Sequence, residues 1–167
     1  MKIELSEYDP SWPNIFLKEK KLLENVLPAN SLIEHMGSTS IKGLCAKPII
    51  DILCGIEDFL IADNFINEIV ALHYEYVESY NAIIPERRYF KKSAENNFHI
   101  HLVQTGGQFW ERHLLFRDFL RNNELAKDEY ASFKRQLSKK DWKDGNEYAD
   151  AKTEFIKAIE ERAKHPK

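Results

Sequence analysis

The stretch that decides the fold is IEHMGSTSIKGLCAKPIIDILCG, residues 33–55. Two apolar runs, residues 32–36 and 48–56, lie on either side of a connection made of small and polar residues. Short apolar runs bounded by Asn, Gly or Pro are typical of buried strands. We therefore predict two strands joined through a turn, and we expect the rest of the chain to pack around them.

The second apolar run contains a single acid, Asp51. Side chains alternate across a strand, so Asp51 is predicted to share a face with Ile49 and Leu53. Burying an unpaired carboxylate costs several kcal/mol. Asp51 should therefore face a metal ion, a cationic side chain or hydrogen-bond donors.

The connection begins with Gly37, Ser38, Thr39 and Ser40. Glycine allows the chain to leave the strand at a positive φ, and the hydroxyls with successive N–H groups can surround an anion such as phosphate. The same residues also suit a plain tight turn. Lys47, just before the second strand, would neutralise a bound phosphate, pair with Asp51 or lie in solvent.

Three further polar residues lie in apolar strands. Glu34 is predicted to be a second carboxylate of the site, or else the partner of Lys47 or an arginine. His99 and His101 share one face of a predicted strand at 98–104. Two imidazoles at this spacing can bind one metal ion, or each can make its own hydrogen bonds.

A family resemblance rests on these residues. Gly37-Ser38, twelve intervening residues and then Asp51-Ile52-Leu53 resemble the motif of polymerase-beta-like nucleotidyltransferases. The longer string EHMGSTSIKGLCAKPIIDI, residues 34–52, resembles the signature of the GrpB family. The likeness continues through YDPSWP at 8–13, HIHLV at 99–103 and FRDFLR at 116–121, so it covers almost the whole chain.

The resemblance implies an α+β fold with a mixed nucleotidyltransferase-like sheet, a nucleotide or other small anionic ligand, and a divalent cation. Mg²⁺ or Mn²⁺ is the expected cation, with Zn²⁺ as the alternative, held by Asp51 with His99 or His101. Leu53 occupies the position where active members of the superfamily carry a second acid, which weighs against two-metal catalysis. As pocket residues the resemblance nominates Arg88, Arg117, Tyr130, Lys134 and Lys152, each of which also suits an ordinary surface or packing role.

Length and composition predict one domain spanning residues 1–167. The net charge of −3 gives no basic excess of the kind that binds duplex nucleic acid. No apolar stretch is long enough for a membrane span and no signal peptide is evident, so we expect a cytoplasmic protein. The two cysteines, Cys45 and Cys54, indicate neither a disulfide scaffold nor a zinc knuckle.

The remaining elements follow from periodicity. We predict strands at 2–8, 74–80, 87–92 and 98–104, and helices at 57–73, 108–122, 124–139 and 147–163, with a first helix between Asp9-Pro10 and Pro28. Strands precede a run of helices beyond Gly106-Gly107. This order indicates an α+β fold with a C-terminal helical layer.

Three functions are compatible with these features. The first is a nucleotide- or phosphate-binding protein, transferring a nucleotidyl group to a small acceptor if it is catalytic, with Asp51 and Glu34 as the catalytic acids. The second is a degenerate, non-catalytic ligand-binding module, with an accessory role in coenzyme A metabolism as one possibility. The third is metal-dependent hydrolysis of a phosphate ester.

Overall fold

The computed structural model describes residues 1–165. Within this range one mixed sheet has the strand order β1-β2-β5-β4-β3. Its strands are β1 (Leu32–Met36), β2 (Ile49–Ile56), β3 (Glu75–Tyr76), β4 (Arg87–Ser93) and β5 (Asn97–Gln104). The parallel pair β2 and β5 forms the centre, and the other neighbours are antiparallel. The predicted α+β class is confirmed.

Strand register brings the polar residues of three strands together. Met36 lies opposite Asp51 in the β1–β2 pair, and His99 lies opposite Asp51 in the β2–β5 pair. Because side chains alternate, Asp51, His99 and His101 share one face of the sheet. The predicted strand pattern around residues 33–55 is therefore confirmed.

The opposite face of the sheet is apolar. Ile52, Ile100 and Phe90 are fully buried there, in a core that also contains Trp12 and Phe16 of helix α1 (Trp12–Glu24). A 3₁₀ turn at Phe59–Phe65 and the short helix α2 (Ile66–Val70) complete the cover of this face. This packing leaves the face that bears Asp51 to be covered by the C-terminal helices.

The C-terminal layer consists of α3 (Gln108–Arg121), α4 (Glu124–Ser138), α5 (Gly145–Ala151) and α6 (Thr153–Lys164). Trp110 of α3 packs on β2 at Gly55, where a Cβ atom would lie 2.6 Å from the indole ring. Glycine at this position therefore allows α3 to approach the sheet. Across residues 1–165, no helix has both the length and the apolar composition needed to cross a membrane.

Several predicted boundaries are wrong. Residues 57–73 do not form one amphipathic helix but a 3₁₀ turn followed by α2, and Leu60 is 93 % exposed. The predicted helix at 147–163 is two helices that meet at Lys152. The predicted strand at 2–8 contributes one bridge, between Ser6 and Ala46, and the strand at 74–80 shortens to β3. In each case tertiary packing overrides a local periodic pattern.

Candidate functional site

The turn after β1 lies directly against Asp51. Gly37 has φ of 73°, and a Cβ atom there would be 2.6 Å from Asp51 Oδ2. Ser38–Ser40 then forms one turn of 3₁₀ helix, closed by the Ser40 N–H donating to the Gly37 carbonyl over 3.1 Å. Glycine is therefore required at position 37 for two reasons: the backbone conformation and the close approach of the Asp51 carboxylate.

Asp51 is hydrogen-bonded to one imidazole and lies close to a second. Its Oδ1 atom is 3.2 Å from His101 Nε2 and 3.7 Å from His99 Nδ1. Burial favours the neutral acid, but the hydrogen bond from His101 and the charge interactions with His101 and His99 outweigh it, so the pKa of Asp51 lies below its ordinary value. Asp51 is thus an ionised carboxylate at neutral pH.

Aromatic and cationic residues hold the two imidazoles in place. The Tyr89 ring contacts His99 and His101 edge to face, at centroid distances of 5.4 and 5.3 Å. Arg87, on the same sheet face, places Nη1 3.5 Å from His101 Nδ1 and its guanidinium 4.9 Å from the Tyr89 ring centroid. Sequence reasoning did not assign Arg87 or Tyr89 to the site, although their alternation with Arg88 and Phe90 would have placed them on this face.

Beside Asp51, the structure contains a cavity of about 160 Å³ that we call the lysine cavity. Three lysines from separate segments line it: Lys47 before β2, Lys134 of α4, and Lys152 between α5 and α6. Ser38, Thr39, Asp51, His99 and Tyr148 complete its polar lining. With all three lysines protonated, the lining carries three positive charges against the one negative charge of Asp51.

The ammonium groups of the lysine cavity contact hydroxyl, carbonyl and aromatic groups. Lys134, which is 2 % exposed, donates to Ser38 Oγ over 2.8 Å and to the Cys45 carbonyl, and it lies 4.7 Å from the Tyr130 ring centroid. Lys152 Nζ lies 4.6 Å from the Tyr148 ring centroid. Within residues 1–165 no carboxylate forms an ion pair with Lys47, Lys134 or Lys152.

Burial makes Lys134 and Lys152 weaker bases. It lowers the pKa of Lys134 from 10.5 to about 7. Burial, reinforced by the charge of Lys47, lowers the pKa of Lys152 from 10.5 to about 8. Desolvation without a counter-ion disfavours the charged form, and a bound anion would reverse the effect.

Two predicted arginines and one predicted acid lie apart from the lysine cavity. Arg88 is on the opposite face of the sheet, where its Nε donates to Asp63 over 2.7 Å. Arg117 donates to Glu34 over 2.7 Å and to the His35 carbonyl over 3.0 Å. Glu34 is therefore paired with an arginine, which was the alternative to its being a second carboxylate of the site.

The hydroxyls of the Gly37 turn have different surroundings. Ser38 lines the cavity and accepts from Lys134. Thr39 Oγ1 donates to the Ile49 carbonyl over 3.0 Å and lies 2.9 Å from His35 Nε2. Ser40 Oγ donates back to the Gly37 carbonyl, while the Ser40 carbonyl accepts from Arg121. Ser38 is therefore the hydroxyl best placed to meet a ligand.

Tyr148 is a further polar residue of the cavity that sequence reasoning did not assign. Its hydroxyl is buried and has no hydrogen-bond partner among the described residues. It precedes Lys152 by four positions, so a single helical turn relates the two side chains. That spacing, together with the nomination of Lys152 by the family resemblance, was the signal in the sequence that could have assigned Tyr148 to the site.

The predicted metal ligands do not form the carboxylate cluster that nucleotidyl transfer requires. Asp51 with His99 and His101 supplies one carboxylate and two imidazoles, whereas Mg²⁺ prefers oxygen ligands. Leu53 is 0 % exposed among Met36, Val103 and Trp110. Among residues 1–165, no group of three or more His, Cys, Asp or Glu side chains is arranged to hold a metal ion. The side chains present therefore do not fit a two-metal centre.

Fold and site together define an α+β protein in which a mixed sheet carries a carboxylate–imidazole group beside a lysine-lined cavity. A family model described as "GrpB protein" matches residues 2–162. The chain belongs to the GrpB family, as its motif resemblance predicted.

Relatives agree with this assignment. The chain is 37 % identical over 166 residues to the UPF0157 protein BH1888 of Halalkalibacterium halodurans, covering 96 % of this chain and 82 % of that protein. It is 35 % identical over 161 residues to the glutamate-rich protein GrpB of Alkalihalophilus pseudofirmus, covering 93 % and 92 %. The crystal structure of the conserved protein GrpB from Enterococcus faecalis matches with a TM-score of 0.86 and 36 % identity, covering 96 % of both chains.

Proposed function

We propose that the protein binds a phosphate-bearing anion in the lysine cavity, and that its ligand is a nucleotide or a similar small phosphorylated compound. The observation that carries this proposal is the set of three ammonium groups around one small cavity, none of which has an ion-pair partner among residues 1–165. A buried charge without a partner costs free energy, which an anionic ligand would recover. The nucleotide class follows from the resemblance of residues 37–53 to nucleotidyltransferases.

Hydrogen-bonding capacity also supports an anionic ligand. Lys134 and Lys152 present N–H donors, and the orphaned hydroxyl of Tyr148 offers another. Burial raises the pKa of Tyr148 to about 12, so its phenol keeps its proton at neutral pH. Phosphate oxygens accept several charge-assisted hydrogen bonds at once, so their chemistry matches this lining.

Cavity size limits which part of the ligand is enclosed. A volume of about 160 Å³ exceeds that of a few water molecules but is smaller than the roughly 300–1,000 Å³ of cavities that enclose drug-sized ligands. The cavity therefore suits one or two phosphoryl groups, with the remainder of a nucleotide outside. Because the second acid is absent at Leu53, the geometry supports binding better than nucleotidyl transfer.

Calorimetric titration with inorganic pyrophosphate tests the proposal. Lys134→Met should weaken binding by about 10- to 100-fold, the loss expected for one charge-assisted contact. Lys157→Met is the matched control, because Lys157 is 59 % exposed on α6, outside the cavity lining, and pairs with Glu154. Equal pyrophosphate affinity in the wild type and Lys134→Met would contradict the proposal.

A further inference from the structure

We propose that the protein binds its phosphate ligand without a divalent cation, because Lys47, Lys134 and Lys152 supply the positive charge that metal ions supply in nucleotidyl transfer. The inference rests on the proposed function and defines the ligand further, as a metal-free phosphate group with at least two negative charges. It differs from the expectation of a divalent cation at Asp51, and one set of titrations decides between the two.

The sheet does not present the several acids that a pair of Mg²⁺ or Mn²⁺ ions would need. Leu53 lies two residues beyond Asp51 on the same face, and its neighbours in register are Glu34 and His101. Leu53 is enclosed by apolar side chains, and Glu34 is held by Arg117. Among residues 1–165, Asp51 is therefore the one carboxylate that lines the cavity, and its Oδ1 atom lies 3.2 Å from His101 Nε2.

The lysines, in contrast, come to the cavity from three separate segments of the chain. Lys47 approaches along the segment that enters β2, Lys134 from α4, and Lys152 from the junction of α5 and α6. Ring faces and a backbone carbonyl hold the amines without neutralising them. A divalent cation added here would be repelled by all three ammonium groups, whereas a phosphate would be attracted to each.

Charge balance indicates the same ligand. With all three lysines protonated, the ammonium groups and Asp51 leave two positive charges, which a doubly charged phosphate would neutralise. A single phosphate dianion complexed with Mg²⁺ has no net charge, so its complex would leave the cavity positively charged. The lining thus favours the free anion over its metal complex.

Pyrophosphate titrations in EDTA and in Mg²⁺ test the inference. Binding should persist in EDTA, and Mg²⁺ should not tighten it, because the metal only removes free pyrophosphate from solution. A tightening of tenfold or more on addition of Mg²⁺ would overturn the inference while leaving phosphate binding established. Absence of binding in both conditions would overturn the proposed function and this inference together.

The direction in which Asp51→Asn changes the affinity for pyrophosphate distinguishes metal-free binding from binding through a metal ion. The amide keeps the size of the carboxylate and an oxygen to accept from His101, so the variant should fold, as its melting temperature would show. Without the negative charge, a lysine-only cavity should bind pyrophosphate in EDTA as tightly as the wild type or up to about tenfold more tightly. Weaker binding in EDTA would contradict a lysine-only cavity, and a loss of Mg²⁺-dependent binding would assign Asp51 to a metal ion; either result would refute the inference.

Discussion

Two parts of the site balance their charges in different ways. We call the strand residues around Asp51 and Glu34 the sheet end, and the three lysines of the lysine cavity the helix end. At the sheet end, Asp51 has His101 and His99 as partners, and Glu34 has Arg117. At the helix end, Lys47, Lys134 and Lys152 line a cavity without ion-pair partners among residues 1–165. A protein keeps a charged side chain buried when something compensates the charge. The sheet end has its own partners, whereas under the proposed function an anion compensates the charges of the helix end.

The largest expected effect tests whether the sheet end has room for another acid. Leu53→Asp would place a second carboxylate at the position where the nucleotidyltransferase motif that residues 37–53 resemble has one. Because the position is fully buried among apolar side chains, we expect a loss of about 3–5 kcal/mol in unfolding free energy. Urea denaturation measures it, and Leu53→Val, with a loss of about 1 kcal/mol, is the control for volume.

A stable Leu53→Asp variant would contradict the claim that the sheet end has no room for a second acid. If its unfolding free energy equalled that of the wild type, and if Mn²⁺ raised its melting temperature, the sheet end would be a metal site lacking a single residue.

The helix end can be tested by removing a charge there. Lys152→Met should weaken pyrophosphate binding by about 10-fold or more, because it removes a half-buried ammonium group from the cavity. The fold should persist, since Lys152 contacts the Tyr148 ring and makes no ion pair among the described residues. Titration calorimetry measures the affinity, with Lys157→Met as the exposed control on α6. An unchanged affinity would show that Lys152 does not bind the ligand.

Two glycine substitutions separate the stability effect of the contact between residue 37 and Asp51 from the effect of backbone strain. Gly37→Ala should cost about 2–3 kcal/mol of unfolding free energy, because it combines a positive φ with a clash against the carboxylate. Gly106 has a nearly identical φ of 74° and open space at its Cβ position, so Gly106→Ala should cost only about 1 kcal/mol. Equal losses would indicate that the approach of Asp51 does not constrain residue 37.

The smallest expected effect concerns pH. Sulfate keeps its charge across the neutral range, so changes in its affinity report on the protein. In the unliganded protein the pKa of Lys134 is about 7 and that of Lys152 about 8. Both ammonium groups are charged below these values and lose their protons as the pH rises. Sulfate affinity should therefore fall by roughly tenfold between pH 6 and pH 8.5.

The surroundings of the two lysines differ, so each part of the pH profile can be assigned to Lys134 or to Lys152. Lys134 contacts Ser38, Cys45 and Tyr130 and is influenced by the charges of Arg135 and Lys152. Lys152 contacts Tyr148 and is influenced by the charges of Lys47 and Asp51. Lys134→Met should remove the part of the profile near pH 7 and keep the part near pH 8. An affinity independent of pH in the wild type would contradict the account.

The sheet end could be predicted from the sequence because strand geometry is local. Alternation in residues 49–56 places Asp51 on one face, and the same rule places His99 and His101 together. The apolar run at 32–36 and the positive φ of Gly37 likewise follow from short-range preferences.

The helix end could not be derived in this way. Lys134 and Lys152 are 83 and 101 residues away from Asp51 along the chain, and only the packing of α4, α5 and α6 brings them to the cavity. The family resemblance nominated both, but it also nominated Arg88 and Arg117, which the structure places elsewhere. A helical pattern shows which residues are exposed or buried, and it does not show what a buried lysine faces.

A crystal structure of the protein grown with both pyrophosphate and Mg²⁺ would test the central claim most directly. The account predicts pyrophosphate oxygens within hydrogen-bonding distance of the ammonium groups of Lys47, Lys134 and Lys152, with Asp51 still bonded to His101 and without a cation between them. A Mg²⁺ ion bridging Asp51 and the pyrophosphate, or pyrophosphate bound outside the lysine cavity, would contradict it.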